Sequence, residues 1–202
     1  SHFAFSLPWV CFGHEEPHEC ERQVARASAI GRPRHETMPC ADDRSIVVPT
    51  FWTRVSRSFQ RRVQKVASRH EQLGSWPYEL FFSGDVRSEA PYVNKFLNLT
   101  YSQGVRQSVF AHWRNSSRYW LGRRHGPSDN AYGSARFCLA PSGDGFGWRL
   151  AKIVMLGGCV PLIIQPRVRQ PFDTLLPYHN FSITLEKRDI PQLDRKLRDV
   201  GP

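Results

Sequence analysis

The stretch Phe137-Cys138-Leu139-Ala140-Pro141-Ser142-Gly143-Asp144-Gly145-Phe146-Gly147-Trp148-Arg149-Leu150, followed by Gly158-Cys159-Val160-Pro161-Leu162-Ile163-Ile164, decides how the chain is read. It begins with a short apolar run, passes through a glycine-rich loop, continues over Trp148 to Leu156 as a helix, and ends in a second apolar run. Apolar runs bounded by turn residues are buried strands, and two of them joined by a helix form a βαβ unit. Such a unit brings the N–H groups of a helix start to the place where a phosphate can be held. Gly143, Gly145 and Gly147 let the backbone bend tightly and come close to a ligand, so the N–H groups of Ser142 to Gly147 are candidate phosphate donors. Arg149 can add charge-assisted hydrogen bonds to the same group. The loop is not a Walker loop, because no Gly-Lys-Ser/Thr follows. Nor is it a dinucleotide fingerprint, since Trp148 stands where that pattern has its third glycine.

Working outward, further elements alternate in type. Ser45 to Pro49 and Tyr78 to Phe82 are expected strands, as is Phe181 to Leu185. Gly104 to Arg118 has helical spacing through Val105, Val109, Phe110 and Trp113, with Arg106 in its first turn. Pro191 to Asp199 is an expected helix with Asp189 placed to cap it, and Leu121 to Asn130 is an expected loop. Strands alternating with helices predict an α/β fold, a Rossmann-like parallel sheet flanked by helices. From Arg54 to Leu73, Val55, Phe59, Val63 and Val66 fall on one side of a helix, while Arg57, Arg61, Arg62, Lys65 and Arg69 cover much of the rest. That cover is either a solvated surface or a basic face for a polyanion or membrane. Gly74 and Pro77 mark a boundary, which divides the chain into residues 1–74 and 75–202.

The chain's 202 residues, 40% hydrophobic and 12% aromatic, are enough to bury a real core. Its 28 Lys and Arg outweigh 18 Asp and Glu by a formal charge of +10, which points to anionic partners. No apolar run approaches the ~18 residues of a membrane span. Cys11, Cys20, Cys40, Cys138 and Cys159 lack zinc-site spacing. A Cys11–Cys20 bridge is one reading, with Cys138 and Cys159 as small apolar residues at strand ends. The crowded His14, Glu15, Glu16, His18 and Glu19 fit no standard metal motif and read as a solvated loop. Asn98, Asn115 and Asn180 each begin an N-x-S/T sequon, a signal used only in the secretory pathway.

Several motifs occur together in order: Ile46-Val47-Val48-Pro49, Leu80-Phe81-Phe82-Ser83-Gly84, Tyr101-Ser102-Gln103-Gly104-Val105-Arg106-Gln107, the glycine-loop stretch with Gly158 to Ile164, Gln170-Pro171-Phe172-Asp173 and Phe181-Ser182-Ile183. The ensemble resembles the exostosin-like glycosyltransferases, plant and algal members above all. The resemblance implies a GT-B architecture, with residues 75–202 as the C-terminal nucleotide-sugar-binding lobe and residues 1–74 as a remnant of the acceptor-side lobe with its connecting helix. It further implies inverting transfer of a sugar from a UDP-sugar donor to a polysaccharide or glycoprotein acceptor. The location it implies is the Golgi lumen, with membrane attachment only through an N-terminal anchor absent from this chain. Nucleic acid is not expected, because no nucleic-acid motif appears. Homo- and hetero-oligomeric association are both left open.

Transfer from UDP builds negative charge on the departing diphosphate, which needs fixed donors or cations. No Asp-x-Asp pair is present to bind manganese, so the expectation is a site without metal or added cofactor, in which Arg106, Arg149 and the loop positions Ser142, Gly143, Gly145 and Gly147 hold the donor. Asp144 is the candidate catalytic carboxylate, and Asp85 and His125 are loop residues with no stronger claim. One departure stands out. Family members commonly carry a Glu about three residues after the loop arginine, suited to ribose hydroxyls, whereas this chain has Lys152, whose ammonium can only donate. That substitution keeps a second reading open, in which the chain is a non-catalytic homologue or fragment that binds a nucleotide or acidic glycan and supports an active partner.

Overall fold

The structure is a computed structural model that describes residues 55–86, 99–122, 129–143, 148–166 and 168–200, together with short strand segments at 3–4, 46–47 and 93–94. In chain order the elements are β1 (Phe3–Ala4), β2 (Ile46–Val47), α1 (Arg57–Leu73), β3 (Tyr78–Ser83), β4 (Val93–Asn94), β5 (Leu99–Thr100), α2 (Val105–Trp113), β6 (Tyr119–Gly122), β7 (Ala135–Pro141), α3 (Trp148–Leu156), β8 (Val160–Ile164), β9 (Ile183–Thr184) and α4 (Leu193–Arg198). β1 pairs with β2 in parallel, and β4 with β5 antiparallel. The remaining strands form one five-stranded parallel sheet in the order β6-β3-β7-β8-β9. This is the expected α/β, Rossmann-like fold.

Alternation along the strands sends side chains to two cores. Leu80, Phe82, Phe137, Leu139, Leu162 and Ile164 face α2 and α4. Phe81, Cys138, Ala140 and Ile163 face Val63 of α1 and Leu150, Ile153 and Leu156 of α3. Nearly all are buried, which explains why these strands read as continuous apolar runs rather than as alternating ones. Burying one such side chain contributes about 1.5–3 kcal/mol. α1 starts where the Ser56 side chain accepts from the Phe59 N–H at 3.2 Å, and stops at Gly74, whose φ of 60° only glycine adopts without strain. Gly158 answers a different need, since a Cβ there would lie 2.3 Å from Val63 Cγ1 and 2.8 Å from the Tyr132 carbonyl oxygen. The missing side chain lets α1 lie close against the turn between α3 and β8.

Four expectations need correction. Cys138 and Cys159 are not merely small apolar residues; they form a disulfide across a separation of 21 residues, fastening β7 to the entry of β8. The helix expected to run to Arg118 ends at Trp113, and Leu121 and Gly122, expected to begin a loop, complete the edge strand β6 (Tyr119–Gly122). Asp189 does not cap α4. It accepts from the Glu186 N–H at 2.9 Å and closes a capping box on the 3-10 turn Lys187–Gln192 that precedes α4. That backbone hydrogen bond holds its carboxyl below the usual carboxylate range. The Ser45–Pro49 strand is present as Ile46–Val47, while Cys11–Cys20 and the His14–Glu19 cluster lie outside the described residues.

Candidate functional site

Taken in chain order, the sheet strands run second, first, third, fourth, fifth. Such an order has its switch point between the first and third strands, here β3 and β7. The crossovers leaving them go to opposite faces: α2 joins one core and α3 the other. The crevice at the carboxyl ends of those two strands is where open parallel sheets bind ligands. Ser83-Gly84-Asp85 and Pro141-Ser142-Gly143 occupy it.

Two arginines converge there, each the second residue of its helix. Arg106 is 6% exposed. Its Nε donates to the Ser142 carbonyl at 3.0 Å, and its Nη1 donates to the Asp85 carbonyl at 2.8 Å and to the Tyr101 hydroxyl at 2.5 Å. The guanidinium thus ties the end of β3 to the start of the glycine loop, flanked by the rings of Tyr101 and Phe82 at 4.9 and 5.4 Å.

Arg149 enters from the other crossover. Its Cζ lies 5.2 Å from the Phe82 ring centroid and its Nη1 donates to the Tyr132 hydroxyl at 3.3 Å. Among the described residues it has no ion-pair partner, and its Nε is buried without a hydrogen bond. A buried donor left unmatched costs about 1–3 kcal/mol. Gly84 lies between the two guanidinium groups: a Cβ on it would stand 2.7 Å from Arg149 Nη2, 3.0 Å from Phe82 Cζ and 3.6 Å from Arg106 Nη1. Cations at helix starts oppose the helix dipole. A phosphate would be favoured by the dipoles and would meet the unused donors of Arg149 at the same time.

The turn preceding α2 adds strain. Ser102 and Gln103 have φ of 56° and 52°, the left-handed region that non-glycine residues rarely enter. They are held there from several sides. Ser102 Oγ donates to the Ser142 carbonyl at 2.8 Å, the same oxygen Arg106 uses, Gln103 Nε2 donates to the Pro166 carbonyl at 2.9 Å, and Lys187 Nζ donates to the Gln103 carbonyl at 2.9 Å. Strain of this kind persists where the surroundings over-determine it, and it gathers at binding sites.

Of the residues singled out in the sequence, Arg106, Ser142, Gly143 and Arg149 meet at this crevice. Asp144, Gly145, Gly147 and His125 lie outside the described residues. Asp85 is exposed and contributes its carbonyl to Arg106. Lys152 makes no ion pair among the described residues; its Nζ sits 5.1 Å from the Tyr132 ring centroid and 5.9 Å from that of Phe59. Sequence reasoning assigned no role to Gly84, Ser102, Gln103 or Tyr132. The first three stand inside ordered family-like motifs, and that was their only signal. Among the described residues no group of three or more His, Cys, Asp or Glu could hold a metal ion. An open, largely apolar cleft of about 690 Å³ bordered by Trp76, Val154, Val160 and Phe181 lies at the amino ends of β7 and β8, the opposite end of the sheet.

Fold, switch point and paired arginines together define a Rossmann-like domain whose crevice suits a phosphate-bearing ligand. Residues 15–200 match the Exostosin GT47 domain, and the chain belongs to that glycosyltransferase family. It is 27% identical over 169 residues to the probable glucuronoxylan glucuronosyltransferase IRX7 of Arabidopsis thaliana, covering 81% of this chain and 35% of that protein. A probable glucuronosyltransferase of Oryza sativa subsp. japonica is 30% identical over 203 residues, covering 95% and 44%. The probable beta-1,4-xylosyltransferase IRX10 of Arabidopsis thaliana is 24% identical over 208 residues, covering 95% and 45%. The chain therefore spans less than half the length of these curated relatives.

Proposed function

We propose that this chain is the donor-binding part of an inverting glycosyltransferase that uses a UDP-sugar. The convergence of Arg106 and Arg149 on Gly84, at the switch point of the sheet, carries this reading. In the reaction the acceptor hydroxyl attacks the anomeric carbon, the bond from that carbon to the diphosphate breaks, and the hydroxyl proton passes to a carboxylate, for which we propose Asp144. The electron pair of the broken bond ends on UDP. Arg149, whose Nε is unmatched among the described residues, answers that charge, and Arg106 keeps the glycine loop in place against it. The site works without a metal on this reading. We further assign residues 1–74 to the acceptor side and its connecting helix, in a GT-B arrangement.

Several relatives are named as glucuronosyltransferases, and a polysaccharide carrying glucuronic acid is an anion. A formal charge of +10 suits it. We therefore propose an acidic cell-wall-type polysaccharide as acceptor or product. The Golgi lumen is the proposed location, in keeping with the Cys138–Cys159 disulfide and the exposed sequon residues Asn115 and Asn180. No helix among the described residues is long and apolar enough to cross a membrane. The placement of Lys152 between two aromatic rings, where the family resemblance implies a carboxylate for the ribose, supports the second reading, a nucleotide-binding homologue without transfer activity.

Calorimetric titration with UDP, with and without manganese, tests the donor site. Saturable binding that is unchanged by manganese and weakened in Arg149→Ala is the expected result. Absence of binding by the folded chain would refute it. Hydrolysis of UDP-sugars by the purified protein separates transferase from silent homologue.

A further inference from the structure

α1 carries a row of cations that no carboxylate among the described residues neutralises. Arg57, Arg61, Lys65 and Arg69 recur at every fourth residue, so they share one side of the helix along about 18 Å. Arg62 flanks the row, and all five are exposed. None makes an ion pair among the described residues; Arg62 alone has a described contact, its Cζ 5.8 Å from the Phe59 ring centroid. The basic residues near the chain's end behave otherwise. Arg188 pairs with Glu186 at 3.0 Å, Lys196 with Asp189 at 3.4 Å and Arg198 with Asp194 at 3.1 Å.

Among the described residues nothing offsets the charge of this row. Like charges four residues apart on a helix repel. Arg57 stands at the positive end of the dipole with no acidic residue in the first turn. The single carboxylate of α1, Glu71, falls off the row. Ser58, Ser68 and Gln72 lie on the same side as the cations, so charged groups alternate with hydroxyls and an amide.

That mixture fits one chemistry better than others. Guanidinium groups grip carboxylates through two parallel bonds, and serine and glutamine pair with sugar hydroxyls. Insertion into lipid would need large apolar side chains beside the cations. Here Val63 is fully buried and Val55 and Phe59 pack against the core, leaving Leu73 alone exposed at the helix end. We propose that the outer side of α1 is a binding face for a linear polyuronate, outside the phosphate crevice. The choice of ligand class rests on the sugar-transfer reading. The row begins on the side of the fold that leads to the crevice, through the contacts Phe59 to Lys152, Lys152 to Tyr132 and Tyr132 to Arg149. A polymer held on α1 would keep its growing or decorated end near the donor.

The test uses fluorescently labelled polygalacturonate and the full chain, with anisotropy followed across a salt series. The variant Arg57→Gln/Arg61→Gln/Lys65→Gln/Arg69→Gln is compared with a control that loses equal charge, Arg188→Gln/Arg195→Gln/Lys196→Gln/Arg198→Gln. Glutamine keeps helix propensity, and thermal unfolding verifies that both variants fold. The α1 variant should bind the polyuronate about tenfold or more weakly, with a shallower salt dependence, while the control changes little. Equal loss in both variants would overturn the proposal, as would unchanged binding in the α1 variant. Equal binding of a neutral glucan, or tighter binding of anionic phospholipid vesicles or duplex DNA, would also overturn it. UDP titration of the same samples keeps the two readings apart: UDP affinity should be the same in all three proteins. A wild-type chain that binds UDP but not the polyuronate refutes the face alone, and one that binds the polyuronate but not UDP refutes the donor site alone.

Discussion

Adding one methyl group at Gly84 should damage donor binding with little effect on folding. The Cβ of Gly84→Ala would lie 2.7 Å from Arg149 Nη2, whereas ordinary contact between such atoms is about 3.5 Å, so the guanidinium must retreat by roughly 1 Å. That displacement takes a charge-assisted hydrogen bond to phosphate out of range. Its loss is worth about 1.5–3 kcal/mol, or roughly ten- to a hundredfold in UDP affinity. Stability should move by no more than about 1 kcal/mol, because Gly84 does not have a positive φ and alanine there restricts the unfolded chain. The Phe82 ring, 3.0 Å from the new methyl, offsets part of that gain. Calorimetry with UDP on wild type, Gly84→Ala, Arg149→Ala and the double variant closes a cycle. If Gly84→Ala acts by pushing Arg149 aside, the double variant binds no worse than Arg149→Ala alone. Wild-type affinity in Gly84→Ala, or losses that simply add, would refute the reasoning.

Other perturbations probe the frame. Replacing both Cys138 and Cys159 with Ala should lower stability to urea by about 3 kcal/mol, from the loop of 21 residues that the bond closes, and a reductant should shift wild type but not the variant. Gly158→Ala should cost about 1–3 kcal/mol by forcing a methyl against Val63 and the Tyr132 carbonyl, with Val63→Ala in the same chain recovering part of it in thermal unfolding. Burial, then Asp173, pushes the Tyr178 hydroxyl up to about 12, and burial with Asp194 raises Tyr119 further. Both phenols keep their protons in the fold above the pH where the unfolded chain releases them. Their contribution is whole below about pH 10 and falls as pH rises toward 12, so urea midpoints should drop across that window, and less steeply in Tyr178→Phe.

What could be read from the sequence was whatever depends on local pattern. The runs Phe137–Ala140 and Cys159–Ile164 announce buried parallel strands because both of their faces are covered. Gly74 announces the end of α1 because its left-handed conformation is local too. β6 escaped notice because Tyr119–Gly122 is only four residues long and follows a polar stretch, so neither period has room to show. The disulfide was hidden because Cys138 and Cys159 come together only through the register of β7 on β8. Nothing local marks Ser102 and Gln103 as left-handed, since no glycine occupies either place and their geometry is imposed by Ser142, Pro166 and Lys187. Arg106 and Arg149 were identifiable as cations at helix starts, whereas their meeting across Gly84 follows from the order of strands.

The left-handed turn has a wider consequence. Three segments far from it in sequence, at Ser142, Pro166 and Lys187, close on it, so it works as a clasp rather than as a connector. Pro166 and Lys187 have no described bond to either arginine, but each holds the Ser102–Gln103 backbone from which α2 departs. Any change that loosens one of those distant grips lets Arg106 drift from the Ser142 carbonyl and frees the glycine loop. Variation in the β8–β9 connection around Pro166, or just after β9 at Lys187, would then tune how firmly the proposed donor is held, without altering either arginine.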